Sequence, residues 1–188
     1  MNALILGLFW MVYYALHSAM ATVSFKRFLR KRLSNLYPYY RAIYSFFAAV
    51  NFILLFILHD LAPSDPVYTS KLFLHYLGFA ILFSGIVLMV VAGKNYGLSF
   101  FYRESDEKTL VKTGMNAFVR HPLYFGVLVA LIGFFLAFPY WKNLVFLVVT
   151  AIYVIIGSLL EEQKLIDKFG DDYRAYRNEV KMLIPGLF

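Results

Sequence analysis

The sequence predicts an all-α integral membrane protein with five transmembrane helices. Its 188 residues are 61% apolar and 20% aromatic but only 15% charged, against roughly 45–50% apolar and 25% charged in a typical soluble domain. The apolar excess falls in blocks of roughly 17 to 23 residues, each long enough at about 1.5 Å per residue to cross a hydrocarbon core of about 30 Å. The basic residues gather between the blocks rather than within them.

The first span is expected from Ala3 to Val23. Ala19-Met20-Ala21 looks like a signal-peptidase site, but the segment lacks a basic n-region and a strongly basic run follows at once, so it reads as a retained helix. The second span covers Arg41 to Leu58, the third Leu72 to Ala92, the fourth Pro122 to Phe138 and the fifth Asn143 to Leu160. Gly78 and Gly85 in the third, and Gly126 and Gly133 in the fourth, stand seven residues apart and so share one face of each helix. In lipid such small residues let backbones approach closely.

Of the 18 basic residues, all but Lys71 and Lys142 fall before or at the start of the second span, between the third and fourth, or after the fifth. The positive-inside rule makes that side cytoplasmic, with the N-terminus outside and the C-terminus inside. This placement accounts for the net charge of +7 by contact with anionic headgroups, and no nucleic-acid partner is expected.

The spans leave no soluble stretch longer than about 30 residues, short of the roughly 50 of a small independent domain. The chain is therefore read as one membrane domain, with three N-terminal helices in residues 1–92 and a chemical core in 93–188. No two glycines stand in G-x-G spacing, so the dinucleotide fingerprint is missing. Without cysteine there are no disulfides, Cys-ligated metals or thiolate nucleophiles, and no metal site is expected.

Pro139, Tyr140, Trp141 and Lys142 alone join the fourth and fifth spans, which predicts an antiparallel hairpin whose free ends meet again at the cytoplasmic face. One end carries Arg120-His121-Pro122-Leu123-Tyr124-Phe125-Gly126 and the other Glu161-Glu162. Pro122 suits a helix's first turn, and Arg120 alone also fits a headgroup anchor. Acids at a helix C-terminus oppose the macrodipole by roughly 0.3–1 kcal/mol each. Either a cation offsets them, or the helix runs on through Gln163 to Phe169 and Lys164, Lys168 or Arg120 are simple partners. From Leu165 through Phe169-Gly170, Tyr173 and Tyr176 to Pro185 the chain reads as an amphipathic helical segment folded back over the rim.

RHPLYFG at 120–126, EEQKLIDKFGDDYRAY at 161–176 and IP at 184–185 together resemble the isoprenylcysteine carboxyl methyltransferase and phospholipid methyltransferase superfamily of membrane enzymes. The resemblance covers roughly residues 93–188. It implies S-adenosylmethionine as cofactor, bound among the last two helices and the C-terminal segment. Carried over by position, Lys108, Thr109, Leu110 and Val111 would line the cofactor pocket with His121, Pro122, Leu123 and Tyr124. Glu161 would hold the cofactor's cationic end, and Gly126 would admit a neighbouring helix or the cofactor. Arg120 is then the electrostatic clamp, and His121, His17 or Glu162 the base for an acceptor with a proton to lose.

The N-terminal half, with His17-Ser18 and the basic stretch through Phe25-Lys26-Arg27, resembles the bacterial methanethiol S-methyltransferase branch. Carboxyl methyltransferases carry an arginine one turn before the glutamates, where this chain has Gly157, and a tyrosine where it has Asn116. A prenylcysteine carboxylate would lack its cation here, leaving a small thiol or another lipid-like acceptor. The resemblance implies a bacterial inner-membrane enzyme facing the cytoplasm and bedded in membrane lipid. Two other classes fit parts of the pattern: an NADPH-dependent reductase of the sterol reductase type, similar in its FG-x-x-Y spacing, and a non-enzymatic factor resembling the NnrU proteins.

Overall fold

A computed structural model of the chain describes residues 2–32, 37–94 and 109–188. Helix α1 spans Ala3–Ala21, α2 Val23–Arg32, α3 Tyr40–Leu61, α4 Leu72–Lys94, α5 Pro122–Ala137, α6 Trp141–Phe169 and α7 Asp171–Glu179. Four of them, α1, α3, α4 and α6, are long and apolar enough to cross a membrane. The fifth expected span, α5, has 16 residues, about 24 Å of helix at 1.5 Å per residue. It is an apolar helix shorter than a full crossing. Large side chains such as Phe46, Phe73 and Phe83 stand on the outer faces of the long helices, where a bilayer, not water, is the fitting solvent.

The small-residue face does what its spacing suggests. An added Cβ at Gly78 would stand 2.4 Å from the Ala137 nitrogen, and one at Gly85 would stand 2.3 Å from that of Ala130. The backbones of α4 and α5 are therefore in direct contact, and dispersion between them replaces the hydrophobic force that lipid cannot supply.

Two departures from the expected pattern have local causes. The basic run after α1 is itself helical, because Thr22 serves both sides of the break. Its Oγ1 donates to Ala19 O at 2.7 Å and accepts from Phe25 N at 3.3 Å, closing one helix and capping the next. The C-terminal segment is not one helix. Gly170, at φ +56°, separates α6 from α7, a conformation that costs glycine nothing, and the chain beyond Glu179 is non-helical.

At the end of α6 remote from Glu162, α1, α3 and the α5–α6 turn are joined by a buried polar chain. Trp10 Nε1 donates to His59 Nδ1 at 3.2 Å, and His59 Nε2 lies 2.8 Å from Asn143 Oδ1. Asn143 Nδ2 passes the chain to Phe138 O at 2.7 Å. Lys142, expected as an outer-face cation, is buried, and its ammonium caps α3 through Asp60 O and Ala62 O at 2.7 and 2.9 Å. Each of these buried donors finds an acceptor, as a low-dielectric interior requires.

Candidate active site

The rim is built by a strap. Val119 forms a parallel bridge with Lys181, and the N–H groups of Arg120 and His121 donate to Lys181 O and Met182 O at 2.9 and 3.1 Å. Proline at the first turn of α5 bars its predecessor from helical backbone. His121 accordingly sits at φ −121°, ψ 67°, outside the helix and free to pair with the strap. Met182 and Leu183 then bury their side chains with Val154 of α6, against Tyr124 and Val127 of α5.

This arrangement brings Arg120, His121, Glu161 and Glu162 together. Helix α6 runs on past Leu160, so the two acids stand within the helix and the macrodipole penalty does not arise. The two carboxylates differ sharply, with side chains 49% and 3% exposed. Glu162 Oε1 takes Arg120 Nε and Nη2 at 2.6 and 2.5 Å, and its Oε2 lies 3.5 Å from Arg177 Nε. Arg120 also gives Nη1 to the carbonyls of Arg177 and Val180. That guanidinium is consumed by the fold: it ties α5, α6, α7 and the strap to one buried carboxylate. His121 lies between the two acids, with Nδ1 3.7 Å from Glu161 and Nε2 3.5 Å from Glu162.

Four buried side-chain atoms here have no hydrogen-bond partner among the described residues: Asn116 Oδ1, His121 Nε2, Ser158 Oγ and Tyr173 Oη. All belong to the rim. Asn116 Nδ2 donates to Arg120 O at 3.3 Å, and Tyr176 Oη donates to Asn116 O at 2.6 Å. Ser158 lies one turn before Glu162 on the same face. Tyr173 is held above the ordinary tyrosine pKa first by burial, then by the nearby Glu162 carboxylate. Buried polar atoms are nearly always paired, so these four mark the rim as a candidate binding site.

Of the other expected pocket residues, Pro122 is buried, Leu123 is half-buried, and Tyr124 stacks on His121 with ring centroids 5.8 Å apart. Thr109, Leu110 and Val111 are placed in the non-helical run before Asn116, with Thr109 exposed, and Lys112 of the same run has its ammonium 6.0 Å from the Tyr176 ring. Lys108 lies outside the described residues. Gly126 takes the first of the two roles expected of it, admitting a neighbouring helix. Its open side faces Met89 and Gly85 of α4, so it serves helix packing rather than a cofactor contact. Ser158, Tyr173 and Arg177 were not read as site residues from sequence; their signal was the four-residue step that joins Ser158 to Glu162 and Tyr173 to Arg177.

The rim fits S-adenosylmethionine chemically. A half-open carboxylate suits a sulfonium or ammonium group, the Tyr124 ring suits a flat base or a cation, and Asn116 Oδ1, Ser158 Oγ and Tyr173 Oη suit the donor's amino-acid and nucleoside groups.

A profile of the phospholipid methyltransferase family matches residues 69–172. The chain belongs to this family and is an integral membrane methyltransferase. It is 32% identical over 198 aligned positions to methanethiol S-methyltransferase 1 of Bradyrhizobium diazoefficiens, covering 98% of this chain and 67% of that protein. It is 30% identical over 200 positions to the methanethiol S-methyltransferase of Mycobacterium tuberculosis, covering 98% and 77%. A shorter match, 32% over 98 positions, covers 52% of this chain and 42% of the protein-S-isoprenylcysteine O-methyltransferase of Schizosaccharomyces pombe. Similarity to methyltransferases along almost the whole chain sets aside the reductase and non-enzymatic alternatives.

Proposed function

We propose that the chain methylates a small thiol with S-adenosylmethionine as donor, in a bacterial inner membrane, with its site facing the cytoplasm and with residues 1–92 and 93–188 acting as one membrane domain. The observation that carries this reading is the division of labour between adjacent glutamates. Glu162 is buried and neutralised by Arg120, while Glu161 is half-exposed beside His121.

The bound donor supplies a methyl on a sulfonium: the acceptor sulfur–carbon bond forms as the donor's sulfur–carbon bond breaks, the electron pair stays on the donor's sulfur, and the thiol proton leaves. The protein's part is to bind, orient and exclude water, which supplies much of the rate in an in-line displacement. Glu161 holds the cationic end, and Ser158, Tyr173 and Asn116 offer the polar contacts. Arg120 acts as a positioning residue, holding the strap and Glu162 rather than touching ligand. Glu162, tied to a guanidinium, is a poor base. His121 Nε2, buried and without a hydrogen-bond partner among the described residues, is the atom suited to take the thiol proton.

Titration calorimetry of the protein in detergent against S-adenosylhomocysteine and against NADPH tests the donor. The first binds and the second does not; NADPH binding alone sinks the proposal. Headspace chromatography for dimethyl sulfide formed from methanethiol tests the acceptor.

A further inference from the structure

A cavity of about 380 Å³ lies between α1 and α3 and shares no lining residue with the rim cluster. Its walls include Phe9, Val12 and Leu16 from α1 and Phe47, Ala48 and Leu55 from α3. Polar groups reach it, but they are turned to internal partners. Tyr13 Oη donates to Ala48 O at 3.1 Å and Asn51 Nδ2 to Phe47 O at 2.8 Å. Tyr44 Oη lies 2.9 Å from the His17 ring nitrogens and 3.0 Å from His17 O. A charged or hydroxylated ligand would lose water here and gain little in return. An alkyl thiol, with one weakly polar atom, would lose almost nothing, and the volume is that of a small-molecule site.

The cavity wall is also packed toward the rim. Tyr13 on the wall meets Tyr14 edge to face with ring centroids 5.4 Å apart, and Tyr14 stacks on Tyr153 of α6 at 4.2 Å. Ser18, next to His17, donates to Tyr153 Oη at 3.3 Å. The residue after Tyr153 is Val154, part of the buried cluster with Met182 and Leu183 on which Tyr124 packs, and Tyr124 stacks on His121. All the lining residues fall between Phe9 and Leu58, outside the 69–172 segment that the family profile matches, yet within the alignments to the thiol-named relatives. The profile segment includes the rim residues Arg120, His121, Glu161 and Glu162. An acceptor pocket particular to the thiol-named relatives would belong outside that segment, where this cavity lies.

We propose that the α1–α3 cavity is the acceptor chamber and takes the alkyl chain of a small apolar thiol arriving from the bilayer. The inference rests on the methyl-transfer reading for the acceptor's identity, but its binding test does not. Hexyl methyl sulfide carrying a diazirine at the chain end is irradiated with the protein in nanodiscs, and the labelled peptides are mapped. Label is expected in residues 9–20 and 44–58. Unmodified hexyl methyl sulfide at ten times its Kd reduces it about tenfold. Scattered label over lipid-facing α4 that the competitor does not reduce overturns the chamber.

A second arm uses Val12→Trp, which fills the cavity from a lipid-exposed position and leaves S-adenosylhomocysteine affinity unchanged as proof of an intact rim. kcat/KM for hexanethiol then falls relative to methanethiol by about tenfold or more. Equal loss for both thiols overturns the proposal. Competed labelling without methyl transfer to either thiol supports the chamber and overturns thiol methylation instead.

Discussion

Arg120 and Glu162, 42 positions apart in sequence, meet through Nε and Nη2 at 2.6 and 2.5 Å from a single carboxylate oxygen. Both side chains are almost wholly buried, so the pair behaves as a rivet. Removing one member of a buried pair typically costs about 3–5 kcal/mol, because the other charge is left unpaired. Glu162→Gln is therefore expected to lower the midpoint of thermal or denaturant unfolding in detergent strongly. Unchanged stability would contradict the rivet.

Glu161→Gln has the opposite profile. Its side chain is half-exposed and its imidazole neighbour is 3.7 Å away, a geometry in which exposed pairs contribute about 0–1 kcal/mol to folding. Unfolding should scarcely move, while S-adenosylhomocysteine affinity measured by calorimetry drops at least about tenfold, or 1.4 kcal/mol.

Tyr173→Phe removes a buried hydroxyl that has no partner among the described residues. Deleting it leaves the resting fold as stable or more stable, since an unsatisfied polar group costs about 1–3 kcal/mol, and weakens donor-analogue binding severalfold. Burial and the Glu162 carboxylate hold this phenol above its ordinary pKa. Above about pH 10 the unfolded chain therefore releases a proton that the folded chain keeps, and stability falls as pH rises. Denaturant unfolding of Tyr173→Phe at alkaline pH should show a smaller loss than the parent.

Gly85→Ala and Gly157→Ala form a contrast pair. At Gly85 the new Cβ would meet backbone of Ala130 at 2.3 Å, so α4 and α5 must part, at about 1–3 kcal/mol. At Gly157 nothing lies within 4 Å among the described residues, and removing helical glycine should stabilise by about 0.5–1 kcal/mol. Unfolding midpoints in opposite directions are the expected result.

The long helices and the glycine face were legible in the sequence because both depend on short-range periodicity: apolar length for Leu72–Lys94, seven-residue spacing for Gly78 and Gly85. The convergence of residue 120 with 162 was legible from the tightness of the turn at Pro139 and Tyr140. Less legible were the partners. Sequence left Arg120 open between anchor, clamp and ion pair, and only the position of the Arg177 and Val180 carbonyls resolves its guanidinium as internal. Ser158 was invisible because a serine in an apolar helix satisfies itself on its own backbone as readily as it lines a site. The cavity between α1 and α3 depends on how two helices diverge, which composition does not encode.

The strap that joins Val119 to Lys181 also sets an order of events during synthesis. The helices can enter the bilayer as they emerge, but the rim has no floor until the stretch around Met182 has been translated and has threaded back beneath α5. A nascent chain would thus sit in the membrane with intact helices and an unfinished rim, completed in one late docking step.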